Sequence, residues 1–270
     1  MLARIRSDTC RMNASPPSSA RPVATAHGLA RTLSKRGLCS RSRAEALIRA
    51  GRVRVDGRIV RDPEARTLDG AKITLDEAEL ESAPLRYLML NKPRGLVTTT
   101  ADERGRDTVY SLFADADLPW LAPVGRLDKA SEGLLLFTND SAWAARITAP
   151  ESRVGKTYHV QIGALPDATL LARLRDGVDS TVGHLALDSV RELRRGAKNA
   201  WLEIVLDEGR NRHIRRMLEA LDVPVLRLIR VAIGSLALGD LPKGHWRDLS
   251  ADEASILCEN RDVPVESTRA

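Results

Sequence analysis

The sequence predicts an α+β protein in two parts: a small α-α-β-β unit, then a larger domain whose mixed or antiparallel sheet is flanked by helices. Three observations lead there. Two helical stretches near the N-terminus precede a run of alternating Val and Arg about an Asp-Gly turn; five strand-like runs follow; and those runs do not alternate with helices regularly enough for a parallel βαβ array. At 270 residues the chain can hold both parts, each with its own core.

Residues 1–28 are rich in Ser, Pro, Ala and Arg, with Asp8 the single acid, and carry no sustained apolar period, so composition predicts a flexible tail. The same composition fits an organelle transit segment, and the apolar stretch of a secretory signal is missing. The first ordered unit is expected over 29–75. Leu29 and Leu33 share a helix face with Gly37 as the stop, and Ser42 with Glu45 has capping-box spacing ahead of Leu47 and Ile48. Beyond Gly51, "RVRVDGRIV" alternates Val and Arg and turns at Asp56-Gly57, a dipeptide suited to two positive-φ positions. "DEAELESAP", residues 76–84, has four acids, a proline and no period, and reads as a linker.

The larger domain is expected over 85–250. "YLML", "GLLLF", "KTYHVQI", "AWLEIVL" and "VLRLIRVAIG" read as strands, with helices near Ala142 to Thr148, Asp167 to Arg175 and Asn211 to Leu221. Residues 251–270 read as a loose polar tail.

Charge points to the partner. The chain carries a net charge of +6, and between Leu29 and Asp62 ten Lys or Arg face three acids, so the basic character is concentrated in the first unit. Arginine supplies 35 of the 42 basic residues, and its planar fork suits phosphate and base stacking. A codon bias would raise arginine everywhere; the local excess favours a phosphate-contacting face. No apolar run approaches the roughly 18 residues of a membrane span, so no membrane partner is expected. Cys10, Cys39 and Cys258 form no CxxC pair and the five histidines are scattered, so no metal is expected. No phosphate-binding glycine loop occurs, which leaves nucleotide cofactors unsupported.

One acid stands out. In "GRLDKASEGLLLFTND", residues 125–140, Gly125 permits a tight turn, Arg126 supplies a fixed charge, and the leucine run reads as a buried strand. Asp128 therefore sits at the edge of an apolar core. An isolated loop aspartate is ordinarily a turn former or helix cap; one kept ionised by an arginine yet shielded from water is a nucleophile or a base. Arg210, Arg212, Arg215 and Arg216 fall within seven residues at the start of a predicted helix. Such a run is ordinarily a solvated face, but Arg215, beside Ile214, is expected to turn core-side and to need an acid partner. Tyr158, in "GKTYHVQI", is ordinarily a half-buried strand residue.

These segments resemble known ones. "LSKRGLCSRSRAEALIRAGRVRVDGRIV" is similar to an S4 RNA-binding module, which makes Arg41, Arg43, Arg52 and Arg54 candidates for RNA contact. "GRLDKASEGLLLFTND" resembles the central motif of pseudouridine synthases, and its ending resembles the RsuA/RluB/RluE/RluF subfamily. Ser131 replaces the usual threonine, and Ser141 a usual glycine, which bears only on a turn. "MLNKPRGLVTT", with Lys92 and Arg94, resembles the family's first motif, and "DEGRNRHIRRMLEAL" its third.

The resemblance spans roughly residues 29–250 and implies the isomerisation of uridine to pseudouridine without cofactor. It implies Asp128 as the essential carboxylate, Arg215 as its partner and Tyr158 against the target base. Arg126, Arg210, Arg212 and Arg216 are then further RNA-binding candidates, and Lys92 and Arg94 either touch the RNA backbone or cap a turn. The implied partner is structured ribosomal RNA with the target uridine flipped out, of the large subunit, with the small subunit as alternative. A cytoplasmic monomer is expected. The rivals are a non-catalytic S4-type assembly factor and a glycosidic hydrolase, which would need two carboxylates.

Overall fold

The computed structural model describes residues 26–68, 70–100, 105–207 and 209–259; residues 1–25 of the expected tail, with Cys10, lie outside them. The first unit runs β1 (Ala26–Gly28), α1 (Leu29–Lys35), α2 (Arg41–Arg49), β2 (Val53–Val55), β3 (Arg58–Ile59), β4 (Arg66–Leu68), β5 (Ile73–Leu75) and β6 (Ala78–Glu79). Leu29 and Leu33 of α1, Ala44, Leu47 and Ile48 of α2, and Val53 and Ile73 of the sheet bury together as one core. Strands β3, β2, β5 and β6 form an antiparallel sheet in that order, and β1 pairs with β4. Asp56 and Gly57 take φ of 49° and 81°, as the dipeptide demands of a hairpin that matches strand twist.

Three boundaries differ from expectation. Residues 26–28, expected in the tail, form β1 against β4. Residues 76–79, expected in the linker, complete the sheet: Asp76 and Glu77 take positive φ and turn β5 into β6, so their acids serve a turn rather than a solvated spacer. The cap of α2 is Ser40, whose Oγ accepts from the Arg43 amide at 3.2 Å, not Ser42, which lies inside the first turn.

The larger domain runs β7 (Tyr87–Lys92), β8 (Ala122–Val124), β9 (Glu132–Thr138), α3 (Ser141–Thr148), β10 (Lys156–Ile162), α4 (Ala168–Asp176), β11 (Val178–Ser180), β12 (Gly183–Leu185), β13 (Ser189–Arg195), β14 (Ala200–Leu206), α5 (His213–Glu219), β15 (Val225–Ile233), β16 (Leu236–Ala237), β17 (Trp246–Asp248) and α6 (Ala251–Glu259). Its main sheet has the order β13-β14-β10-β15-β9-β7-β17, with β16 beside β15 and β8 beside β9. Every pairing is antiparallel except that of β15 with β9, which joins the two halves through Ile229↔Glu132 and Arg230↔Gly133.

Each half packs its own core. β10 and β14 alternate, turning Val160, Ile162, Leu202 and Ile204 toward Met217 and Leu218 of α5. β9 is buried along its whole length and is covered on both faces, by Trp143 and Ile147 of α3 on one and by Val109, Leu121 and Leu127 on the other. Gly133 takes φ +101°, and a Cβ there would strike the Arg230 backbone, so only glycine lets β9 approach β15 this closely.

The tail expected from residue 251 begins as a helix. Ser250 and Glu253 form a reciprocal capping box: the Glu253 amide donates to Ser250 Oγ at 3.1 Å and the Ser250 amide to Glu253 Oε2 at 2.8 Å. Ala254 and Leu257, three apart, bury one face, and Trp143 Nε1 donates to the Ala254 carbonyl at 2.8 Å. Among the described residues no helix is long and apolar enough to cross a membrane.

The two units touch at the turn after α1. The Trp120 amide donates to the Gly37 carbonyl at 2.9 Å and the Ala83 amide to the Arg36 carbonyl at 3.0 Å.

Candidate active site

A cleft of about 310 Å³ opens where the two half-sheets meet, and Asp128, Tyr158 and Arg215 all line it. Each arrives from a different element. Tyr158 projects from β10, Arg215 from the first turn of α5, and Asp128 from the loop between β8 and β9. All three are half-buried.

The loop is tied on every side. Gly125, at φ +73°, turns the chain out of β8, and Leu127 anchors it in the core. Thr98 Oγ1 donates to the Leu127 carbonyl at 2.8 Å, the Gly95 amide to the Lys129 carbonyl at 2.8 Å, and the Ser131 amide closes a turn onto the Asp128 carbonyl at 3.0 Å. Lys92, at the end of β7, lies wholly out of solvent and donates to the carbonyls of Ser131 (2.9 Å), Pro93 (3.0 Å) and Asp128 (3.2 Å). Burial pushes its ammonium down to about 8, against the charges of Asp128 and Glu132. Of the two roles the sequence leaves open for it, Lys92 takes that of tying a turn: its three ammonium donors go to backbone carbonyls, two in the Asp128 loop and one at Pro93.

Arg215 differs in detail from expectation. Its Nη2 donates to the Ala130 carbonyl at 3.1 Å, so it holds the loop two residues beyond Asp128 rather than clasping the carboxylate. Burial and then the Arg212 charge lower its pKa, while Asp128 raises it. The Asp128 charge thus reaches Arg215 through space, and the direct hydrogen bond goes to the backbone.

The other candidates separate by place. Arg126, Arg210 and Arg212 are exposed and line the cleft, with Arg210 Nη1 also donating to the His184 carbonyl at 3.0 Å. Arg94 is exposed and near enough for its charge to bear on Arg215. Arg216 lies outside the cleft lining and donates to Asn211 Oδ1 at 3.2 Å. On the first unit Arg43 is exposed and Arg41 pairs with Glu64 at 2.8 Å. Arg52 is clasped by both oxygens of Asp76, and Arg54 reaches the Gly57 carbonyl at 3.3 Å.

Sequence reasoning missed two cations in the cleft. Lys156 stands two residues before Tyr158 on the same strand face, and strand alternation could have found it. Arg230 shares the inward face of β15 with Leu228, where alternation also puts it.

Models of two families match the chain. The one described as RNA pseudouridylate synthase covers residues 86–220 and the S4 domain covers residues 28–72. A protein of Aquifex aeolicus (strain VF5), an uncharacterized RNA pseudouridine synthase, is 37% identical over 83% of this chain and 91% of its own length. The chain belongs to the RNA pseudouridine synthase family. As a member it is an isomerase acting on RNA, built from an S4 domain ahead of the synthase fold. Proteins called ribosomal large subunit pseudouridine synthase B are also similar. That of Haemophilus influenzae (strain ATCC 51907 / DSM 11121 / KW20 / Rd) is 35% identical over 93% of this chain and 72% of its own, and that of Bacillus subtilis (strain 168) is 31% identical over 85% and 94%. A crystal structure of a pseudouridylate synthase aligns with a TM-score of 0.60 and 29% identity, over 86% of this chain and 99% of that one.

Proposed function

We propose that this synthase isomerises a uridine of large-subunit ribosomal RNA, with Asp128 as the essential carboxylate, Tyr158 against the uracil and Arg215 as the group that orients the Asp128 loop. The observation that carries the reading is the convergence of these three side chains, from three separate elements, on one cleft. The large-subunit target rests on the similarity to the synthases B of Haemophilus influenzae and Bacillus subtilis.

The reaction breaks the C1′–N1 bond, turns the uracil within the cleft and joins C5 to C1′; the C5 proton leaves and N1 gains one, so no atom is added or lost. Asp128 starts this either as a nucleophile, at the sugar or the base, or as the base that takes a sugar proton. Tyr158 presents its ring to the uracil and its phenol to the C5 proton of the last step. A cleft lined by Ile147, Leu206, Leu228 and Ile233 behind these groups keeps water from the detached base. A stacked uridine hides the reacting atoms, so the target nucleotide is flipped out. The rim arginines Arg126, Arg210 and Arg212 then meet its phosphates, and the S4 unit, spanning 26–79, grips the neighbouring structured RNA. Residues 80–86 act as the linker and the catalytic domain runs from Tyr87 into α6. The protein works as a cytoplasmic monomer.

The test is a pseudouridine map of ribosomal RNA from cells lacking the protein, with wild type or Asp128→Asn restored. One large-subunit site should vanish and return only with wild type. A missing small-subunit site would move the target, and full restoration by Asp128→Asn would overturn the catalytic assignment.

A further inference from the structure

Arg230 is 5% exposed, yet it lines the cleft. It stands on β15 directly across from Tyr158 of β10 on one side and Gly133 of β9 on the other. Nε donates to the Leu134 carbonyl at 2.7 Å, while the buried Nη2 meets no acceptor among the described residues, and the guanidinium forms no ion pair with them. A guanidinium in an apolar wall with an unused donor is costly until something negative reaches it. Lys156 adds a second cation, with Nζ 2.8 Å from the Asp207 carbonyl, and its pKa is lowered first by burial and then by the Arg230 charge.

Position decides what that negative group is. The phosphates of a flipped nucleotide stay with the RNA strand at the rim, where Arg126, Arg210 and Arg212 are exposed. What enters beside Tyr158 is the base.

We propose that Arg230 is a further catalytic residue, which donates to a uracil carbonyl and takes up the negative charge that isomerisation places on the ring. The proposal rests on the uridine occupying the Asp128 and Tyr158 cleft. It does not depend on how Asp128 acts. If Asp128 attacks C1′ or removes the C2′ proton, the C1′–N1 bond breaks and its electron pair leaves with uracil, a monoanion shared over N1, O2 and O4. If Asp128 adds at C6, the C5=C6 pair moves toward O4 as an enolate. In each course the C1′–N1 bond breaks and C5 bonds to C1′; Asp128 is released as its bond to C1′ or C6 breaks or as it returns the proton to C2′, C5 loses its proton, and N1 gains one. A preplaced buried cation favours the charged ring over the neutral one, which accelerates the step rather than tightening binding.

The experiment compares wild type, Arg230→Met and Arg230→Lys in single turnover on RNA carrying uridine or 5-fluorouridine at the target. Target consumption is read by chromatography of the digested nucleosides, alongside RNA affinity at two salt concentrations and thermal melting. Fluorine withdraws electrons and stabilises the ring anion without Arg230. Arg230→Met should fold, bind RNA with unchanged salt dependence and react about a hundredfold more slowly on uridine. Its loss should be smaller on 5-fluorouridine, and Arg230→Lys should recover part of the rate. An equal loss on both RNAs would mean a purely structural role. Weaker binding with a shallower salt slope and an unchanged bound-state rate would mean a phosphate contact. Either overturns the proposal, and if Arg230→Met does not fold, Arg230→Lys carries the same comparison. Wild type that binds the RNA but forms no pseudouridine would sink the placement of the uridine; active wild type matched by Arg230→Met sinks this proposal alone.

Discussion

The Lys92 ammonium, buried at the end of β7, donates to the backbone carbonyl of Asp128 at 3.2 Å and grips the same loop again through Ser131. Lys92→Met removes that grip. Replacement should lower kcat by about tenfold or more with RNA affinity unchanged, because a small displacement of the carboxylate proposed to react is costly whereas the exposed arginines at the cleft rim stay in place. Single-turnover rates and binding isotherms separate the two.

The same lysine sets an alkaline signature. Its folded pKa, about 8, is below its ordinary 10.5, so the unfolded chain binds more protons between those values and stability rises with pH across that window. The charged form costs the fold about 3 kcal/mol at neutral pH, a cost that fades by pH 10.5. Urea denaturation from pH 7 to 10.5 should show the rise in wild type and a smaller one in Lys92→Met, where Lys156, whose pKa burial also lowers, still contributes.

Gly133→Ala should be among the most damaging single methyl additions in the chain. Its Cβ would strike the Arg230 backbone, and φ +101° is strained for any L side chain. A loss of about 4 kcal/mol or more is expected, read as a lowered urea midpoint or as insoluble protein.

Gly37→Ala should loosen the S4 unit without unfolding either part. Gly37 takes φ +74°, and a Cβ would sit 3.0 Å from the Ala83 side chain and 3.1 Å from Asn139 Nδ2, at the contact that carries the Trp120 hydrogen bond. The expected result is faster proteolysis between residues 80 and 86 and weaker binding to structured RNA, while turnover on a short fragment holds.

Glu253→Gln should release α6. Hydrogen bonding from Arg247 holds the Glu253 carboxyl down at about 2, against its partial burial, with Ser250 assisting. The stabilisation is therefore full above the ordinary carboxylate range near 4.5 and is lost as pH falls toward 2. Because the pair is partly exposed, about 1 kcal/mol is the expected effect at neutral pH. Amide exchange in α6 and the fluorescence of Trp143, which packs under it, should report the change in the variant at pH 7 and in wild type only under acid.

The elements with strong local grammar were legible in the sequence. β10 and β14 alternate cleanly and keep their expected bounds, and Asp56-Gly57 turns as its residue types require. The misses share a cause: chemistry that depends on a distant partner. Ser250 and Glu253 had capping-box spacing, but the apolar residues that follow show a helix face only once Trp143 is there to cover it. Lys92 looks like a surface cation along the chain, and its burial is decided by strands far away in sequence; Arg230 lies on the inward face of β15 by alternation, and it is the depth of its burial that the neighbouring strands decide. Arg215 was expected against the Asp128 carboxylate and instead holds the Ala130 carbonyl, since the loop's path after Asp128 is set by the folded turn.

The parallel pairing of β15 with β9 spans two residue pairs, and one of them, Arg230↔Gly133, borders the cleft. Asp128 hangs from one side of this splice and Tyr158 from the other, so the gap between acid and phenol is governed by a joint two rungs long. On the proposed roles of Asp128 and Tyr158, a slight twist at this joint detunes the enzyme even with both half-sheets intact.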